Sequence, residues 1–464
     1  MSPTAETPER LPVHWRWGTL GETGRYVNGV AFKPVDWVKE GMPIIRIQNL
    51  TDPDKALNRT KRQVDPIYHI DTGDLLVSWS ATLDAFLWDR EPALLNQHIF
   101  KVVPNECIAG RRFLYYLLKQ AIAEMLKTEH LHGSTMKHIN RGPFLAHRIP
   151  LPPLDEQRRI VAEIEKQFTR LDAGVTALRR VQANLKRYRA SVLKSACEGR
   201  LVPTEADLAR AQGRTFESGA ELLTRILTER RAKWSGRGKY EEPVEPEPGG
   251  LAQLPSGWRW SSAAQLCGFI TKGTTPNASK MFGDSGDVPF IKVYNLTAHG
   301  QLDLSVKPTF VSWETHRGEL ARSRVTRGDI LINIVGPPLG QAGVVPDTIA
   351  EANINQAIAR LRPVTEGVRG YLAICVMTEW IMRWAFSRAK TTAGQTNLTL
   401  ELCRDLPIPL PPLAEQLRIV TEVDRRLSVL DELEALVSAN LQRATRLRQS
   451  ILQRAFAGEL VRGP

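Results

Sequence analysis

The chain has 464 residues, a formal net charge of +12, and 42% hydrophobic and 24% charged side chains. That length exceeds one ordinary domain, the balance is that of a globular protein, and the basic excess points to a polyanionic partner such as nucleic acid. No apolar run is long enough for a membrane span, the opening "MSPTAETPER" lacks signal-peptide character, and the five scattered cysteines form no C-x-x-C pair; the expectation is a reduced, cytoplasmic protein without a disulfide frame or structural zinc.

Residues 1–149 read as a mixed α/β domain. From Leu11 short strands alternate with Gly, Pro, Asn and Asp turns, as in "GDLLVSWSATLDAFLW" from Gly73, and "RRFLYYLLKQAIAEMLK" from Arg111 predicts a helix. Trp15 and Trp17 read as core residues of the first strand. Residues 150–202 open on "PLPPLDEQRRIV". Pro152 and Pro153 cannot extend a helix backwards, Asp155 and Glu156 suit a helix N-terminus, and Gly199 sits where a helix would stop. The spacing predicts a helix from Asp155 to Glu198, about 66 Å long at about 1.5 Å per residue. Its apolar residues Ile160, Ile164, Phe168, Leu171, Val175, Leu178, Leu185 and Val192 recur at three- and four-residue steps, a seam for a partner helix.

Residues 203–253 carry a predicted helix, "GAELLTRILTERRAKW" from Gly219, and an acidic, proline-rich linker, "KYEEPVEPEPGG". Residues 254–408 predict a second α/β domain with "GDILINIVG" from Gly328 and one helix at "RGYLAICVMTEWIMRWAFSRA" from Arg369. Trp258 and Trp260 repeat the first domain's pair. Residues 409–464 predict a second long helix, Ala414 to Ala457, with a seam at Ile419, Val423, Leu427, Leu430, Leu433, Val437, Leu441, Leu447 and Ile451.

The chain repeats itself. Residues 150–202 align with 409–461 without a gap, with 21 identities in 53 positions. Fainter echoes precede them in the same order: "LPVHWRW" and "LPSGWRW", "IIRIQNL" and "FIKVYNL", "GDLLVSW" and "GDILINI", "NQHIFKVVP" and "NQAIARLRP". Residues 11–149 hold 18 basic and 14 acidic side chains, and residues 254–408 hold 16 and 12, so each nets +4. The expected fold is α+β, a pseudo-twofold duplication of a mixed α/β domain and a long helix, with the two helices forming an antiparallel coiled coil.

Catalytic constellations are missing from the sequence. There is no Walker-A loop, no H-E-x-x-H, no glycine-rich S-adenosylmethionine loop and no amino-methyltransferase tetrapeptide. "EIEK" at Glu163 lies inside the helical repeat, and His130, His132 and His138 have no counterparts in the second half, so no metal is expected. Arg158, Arg159, Arg179 and Arg180 read as a solvated helix face.

A domain followed by "PLPPL-x-EQ-x-RIV" and a long helix, stated twice, resembles the specificity subunit of Type I restriction–modification systems. The resemblance covers nearly the whole chain, centred on Pro150–Val161 and Pro409–Val420 and preceded by "GSTMKHI" and "GQTNLTL". It implies two target-recognition domains that each read half of a split double-stranded DNA target, with the paired helices setting their separation. It also implies a non-catalytic chain on which two methyltransferase subunits dock, bringing S-adenosylmethionine for adenine methylation. Where the system restricts, two restriction subunits supply ATP and Mg chemistry.

Affinity for DNA comes from cations on phosphates, and specificity from polar side chains at base edges. Matching loops supply the candidates: Arg46, Gln48 and Asn49 with Lys292, Tyr294 and Asn295; Trp79 and Ser80 with Asn333; Ser134, Thr135, Lys137 and His138 with Gln395, Thr396 and Asn397. Asn49 and Asn295 have a competing reading as residues that close turns. The whole chain has one as well: a coiled-coil adaptor with two protein-binding domains.

Overall fold

The computed structural model describes residues 11–127, 140–235, 238–247, 249–392 and 395–461. The chain divides into two compact units, residues 1–180 with 437–464, and residues 181–436.

In the first unit, strand Arg16–Thr19 pairs antiparallel with Arg148–Leu151, so the domain's two ends meet just before the long helix. Between them lie two four-stranded sheets. One runs Gly24–Asn28, Ile99–Pro104, Leu75–Ser78, Asp84–Leu87 in spatial order and is antiparallel throughout. The other runs Asn58–Thr60, Met42–Ile45, Ala93–Leu95, His69–Ile70, and its central pair is parallel. Helix Arg111–Met125 buries Phe113, Leu114 and Leu117 against this core.

The second unit repeats the plan. Arg259–Ser262 pairs with Pro407–Leu410. One sheet runs Cys267–Lys272, Ile358–Pro363, Ile330–Asn333, Ala342–Val344, and the other Phe310–Val311, Val288–Ile291, Glu351–Ile354, Arg324–Thr326. The parallel pair is again central. The helix expected from Arg369 is two, Arg369–Met377 and Glu379–Arg388. They are broken by Thr378, whose backbone is extended and whose Oγ1 donates to Ile374 O at 2.7 Å. A short helix, Glu205–Gln212, precedes the expected one at Gly219–Ala232.

The long helices run Leu154–Cys197 and Leu413–Phe456. In the first unit, Ile160, Ile164 and Phe168 from the start of one share a core with Ile451, Leu452, Ala455 and Phe456 from the end of the other. Arg448 there bonds Asp172 and lies 4.4 Å over the Phe168 ring. In the second unit, Val192, Leu193 and Ala196 pack in one core with Ile419 and Val423, and Arg189 reaches Asp431 and, at 3.4 Å, Glu434. Start meets end in each unit, so the pairing is antiparallel. Leu433 and Leu447, expected in the seam, are exposed, and the buried Val423, Leu430, Val437, Ala444 and Ile451 carry it at seven-residue intervals. No helix among the described residues is long and apolar enough to cross a membrane.

The repeated "EQ" explains the repeated helix start. Gln157 Nε2 donates to Pro152 O (3.0 Å) and Ile108 O (2.8 Å), while its Oε1 accepts from Gly110 N–H (3.0 Å). Gln416 Nε2 likewise donates to Pro411 O at 2.9 Å. Beside them, Glu156 meets His14 at 2.5 Å, and Glu415 accepts from Trp258 Nε1 (3.1 Å) and Glu205 N–H (2.8 Å). Each "LP-x-x-W" motif seats on a helix end. Gly199 and Gly458 stop the helices at φ +67° and +77°. A Cβ on Gly199 would lie 3.1 Å from the Trp258 ring and against Pro255, and one on Gly458 against Pro12.

Candidate nucleic-acid interface

Strand order brings most of the predicted loops into one row. In the second unit Ile291 lies opposite Ile354 in the parallel pair, so Lys292 and Asn355 leave the sheet side by side. Asn355 N–H donates to Ile291 O at 3.1 Å. The chain turns through Gln356 and Ala357 into the neighbouring sheet, where Ile334 N–H donates to Ala357 O at 2.8 Å. Ile334 O then accepts from Leu398 N–H at 2.9 Å, and Val335 bridges Asn397 on the hairpin formed by Lys390–Thr392 and Gln395–Asn397. Loops 292–295, 355–357, 333–335 and 395–397 are thus consecutive neighbours.

The first unit builds the same row. Ile45 lies opposite Leu95, which sets Arg46 beside Asn96, and Trp79 N–H donates to His98 O at 3.2 Å. Its fourth loop, with Ser134, Thr135, Lys137 and His138, lies outside the described residues.

Within the row, side chains divide into frame and face. Asn49 is 2% exposed: its Oδ1 accepts from Arg46 N–H (3.1 Å), and its Nδ2 donates to Lys55 O (3.1 Å) and Ala56 O (3.2 Å). Asn295, also 2% exposed, accepts from Lys292 N–H (2.9 Å) and donates to Asp303 O and Val306 O, both at 2.9 Å. Asn333 is fully buried, donating to Gly336 O (3.1 Å) and Pro338 O (2.8 Å). These three expectations are corrected: the asparagines hold loop backbone, and both amide hydrogens of each are spent on carbonyls, leaving no donor for a base edge. Ser80 is buried, and Trp79 packs on His98 and Phe100 with its Nε1 donating to Asn28 Oδ1 at 3.1 Å. Both therefore belong to the loop's packing.

Gln48 and Tyr294 occupy one slot in the two rows and are exposed. Arg46 and Lys292, half-buried, stand at the matching cap positions. The Arg46 guanidinium lies 5.3 Å over the exposed Trp37 ring, and Lys307 lies 5.7 Å from the Tyr294 ring centroid. Arg360, by contrast, is 5% exposed and its guanidinium donates to Arg324 O, so it lies under the surface rather than on the row's face. On the hairpin, Thr396 and Asn397 are half-buried, and Asn397 Oδ1 is a buried acceptor without a partner among the described residues.

Sequence reasoning missed Trp37, which carries no repeat signal, and Gln97 with Gln356. The signal for the glutamines was the repeated "NQ", visible in the sequence but used only as a landmark. Both are exposed in the middle of their rows. The adjoining Asn96 and Asn355 each have a buried Oδ1 without a partner among the described residues.

Among the described residues one grouping of metal-ligand types occurs, His299 with Asp431 and Glu434. Arg189 bonds both carboxylates, so the group is an ion-pair network that a cation would have to break. Arg158, Arg159, Arg179 and Arg180 are exposed on the long helix. Glu163 pairs with Lys166 at 3.0 Å on the same helix.

Two rows of strand-end loops, framed alike but differing on their faces, on domains fused to paired helices, define a duplicated recognition protein. The chain belongs to the Type I restriction modification DNA specificity domain family, which it matches over residues 12–179 and 255–443. It is 27% identical over 463 residues to the EcoBI specificity subunit of Escherichia coli, covering 97% of this chain and 87% of that protein. It is 22% identical to the EcoKI specificity subunit of Escherichia coli strain K12, covering 97% and 90%. A chain from a solved type I restriction–modification system shares its fold with a TM-score of 0.63 at 21% identity, over 97% of this chain and 100% of that one.

Proposed function

We propose that the chain is the DNA-specificity subunit of a Type I restriction–modification complex, binding a split double-stranded target with one half-site per recognition unit. The observation that carries this reading is the repeated row. Two loop faces on equal frames are what two different short sequences require, since the frame can be shared while base-edge contacts must differ. The chain is non-catalytic in this reading and cytoplasmic. Two methyltransferase subunits bring S-adenosylmethionine and methylate adenines, and in a restricting system two further subunits bring ATP and Mg. The row's cations, Arg46 and Lys292, supply phosphate contacts.

The full chain on genomic fragments tests this. DNA binding that weakens steeply with salt supports it, because neutralising phosphates releases counterions. An adaptor whose two domains bind proteins would retain no DNA at low salt.

A further inference from the structure

Each row has a centre that the predicted contacts flank. Gln356 follows Asn355, beside Lys292, and precedes Ala357, whose carbonyl holds Ile334. Gln97 holds the same position between the Arg46 and Trp79 loops, its N–H anchored on Val30 O at 2.9 Å. Gly29 and Gly273 press the adjoining strand end so closely that an added Cβ would collide with Asn96 O in one row and with Ile354 O and Asn355 O in the other. The backbone under each glutamine is therefore fixed, while its side chain is exposed. Thr275 Oγ1 donates to Gln356 Oε1, which leaves the two N–H groups of the exposed side chain's amide as its donors.

The duplication acts as an internal comparison. Along the two rows the neighbours differ, Arg46 for Lys292, Gln48 for Tyr294 and His98 for Ala357, yet the central glutamine is the same. Side chains that discriminate two different half-sites must differ, whereas a contact to the sugar–phosphate backbone can be identical in both. We propose that Gln97 and Gln356 are a matched pair of backbone-contacting residues, each donating its side-chain amide to a phosphate oxygen and so registering its row on the duplex. Reading then falls to the differing neighbours, Gln48 and Tyr294 first. This inference rests on the DNA reading given above.

The test uses the full chain with a pool of random-sequence duplexes, recording affinity against salt and sequencing the bound fraction. Gln97→Ala and Gln356→Ala are each expected to weaken binding about tenfold, the worth of a hydrogen bond to a charged group. The logarithmic salt slope stays unchanged, because a neutral amide displaces no counterion, whereas Lys292→Gln lowers it by about 0.9. The enriched sequence stays that of the wild type. Gln356→Glu weakens binding further than Gln356→Ala by setting a carboxylate against phosphate. Unchanged melting temperatures are expected, since both side chains are exposed. Wild-type binding with unaltered affinity in the Ala and Glu variants overturns this inference alone, as does a changed half-site in the enriched sequence. A wild-type chain that retains no DNA overturns the DNA reading itself.

Discussion

Replacing Asn295 with alanine separates the frame of the row from its face. The side chain makes three hydrogen bonds with backbone, accepting from Lys292 N–H and donating to Asp303 O and Val306 O. Truncation strands one N–H and two carbonyls inside a loop where the residue is 2% exposed. At roughly 1 kcal/mol for each lost bond, the unit loses about 3 kcal/mol. For a unit of this size that lowers the melting temperature by about 6–12 °C. Hydrogen exchange gives the local readout: the Lys292 amide loses protection in Asn295→Ala while the strand beyond it keeps its own. Asn295→Asp is the sharper variant. A carboxylate can still accept from Lys292 but faces two carbonyls, so it is as damaging as alanine at neutral pH and recovers on acidification as it regains a donor. An Asn295→Ala chain with an unchanged melting temperature and lost DNA binding would refute this reasoning and return the residue to the face.

Further outcomes follow from the same geometry. Glu415→Ala costs about 2–4 kcal/mol in thermal denaturation, because the Trp258 indole N–H and the Glu205 amide each lose a buried carboxylate oxygen, and Glu415→Gln recovers at most half of that, since its single acceptor oxygen serves one donor while its NH2 faces the other. Burial pushes the Glu415 carboxyl up, so losing its charge is no great penalty. Arg324 and then His316 hold the Glu351 carboxyl below its usual range. Its contribution is therefore present above about pH 4.5 and lost as the pH falls through the lowered value, and Glu351→Gln flattens that part of an acid-denaturation curve. If the proposed function holds, exchanging residues 254–408 for the matching domain of a relative changes one half of the methylated motif, read by methylome sequencing of cells that carry the complete system. Gln395→Ala with Asn397→Ala lowers DNA affinity before it lowers the melting temperature, measured on one preparation.

The helices were legible because their signals are local and redundant: a double proline before each start, glycine after each stop, and apolar spacing between. Their partner was legible only through the repeat, and the seam was misplaced at Leu433 and Leu447 because leucine outranks Ala444 in a periodicity, although alanine fits a close approach of helices. The sheets escaped detailed reading because most strands have two to four residues and carry little alternation, and the parallel central pairs join segments about fifty residues apart in the first unit and about sixty in the second. The site was half legible. Loop positions could be read from repeated landmarks, but a conspicuous asparagine says the same thing whether it faces outward or folds under its own loop. Only the bonds to Lys55, Ala56, Asp303 and Val306 distinguish these. Gln97 and Gln356 differ: the repeated "NQ" marks them in the sequence, but a repeat alone does not tell an exposed side chain from a buried one.

The first unit takes Ile451, Leu452, Ala455 and Phe456 into the core that also holds Trp15, Phe113 and Ile160. The second unit is one uninterrupted stretch, residues 181–436. Synthesis from the N-terminus therefore makes the domain read first the last to be completed. While the second unit emerges and folds, the first waits with an open apolar face for residues 437–461. A premature stop or frameshift near residue 440 would thus leave the second unit intact and damage the one encoded first. Pulse proteolysis of stalled nascent chains should find the second unit protected before the first.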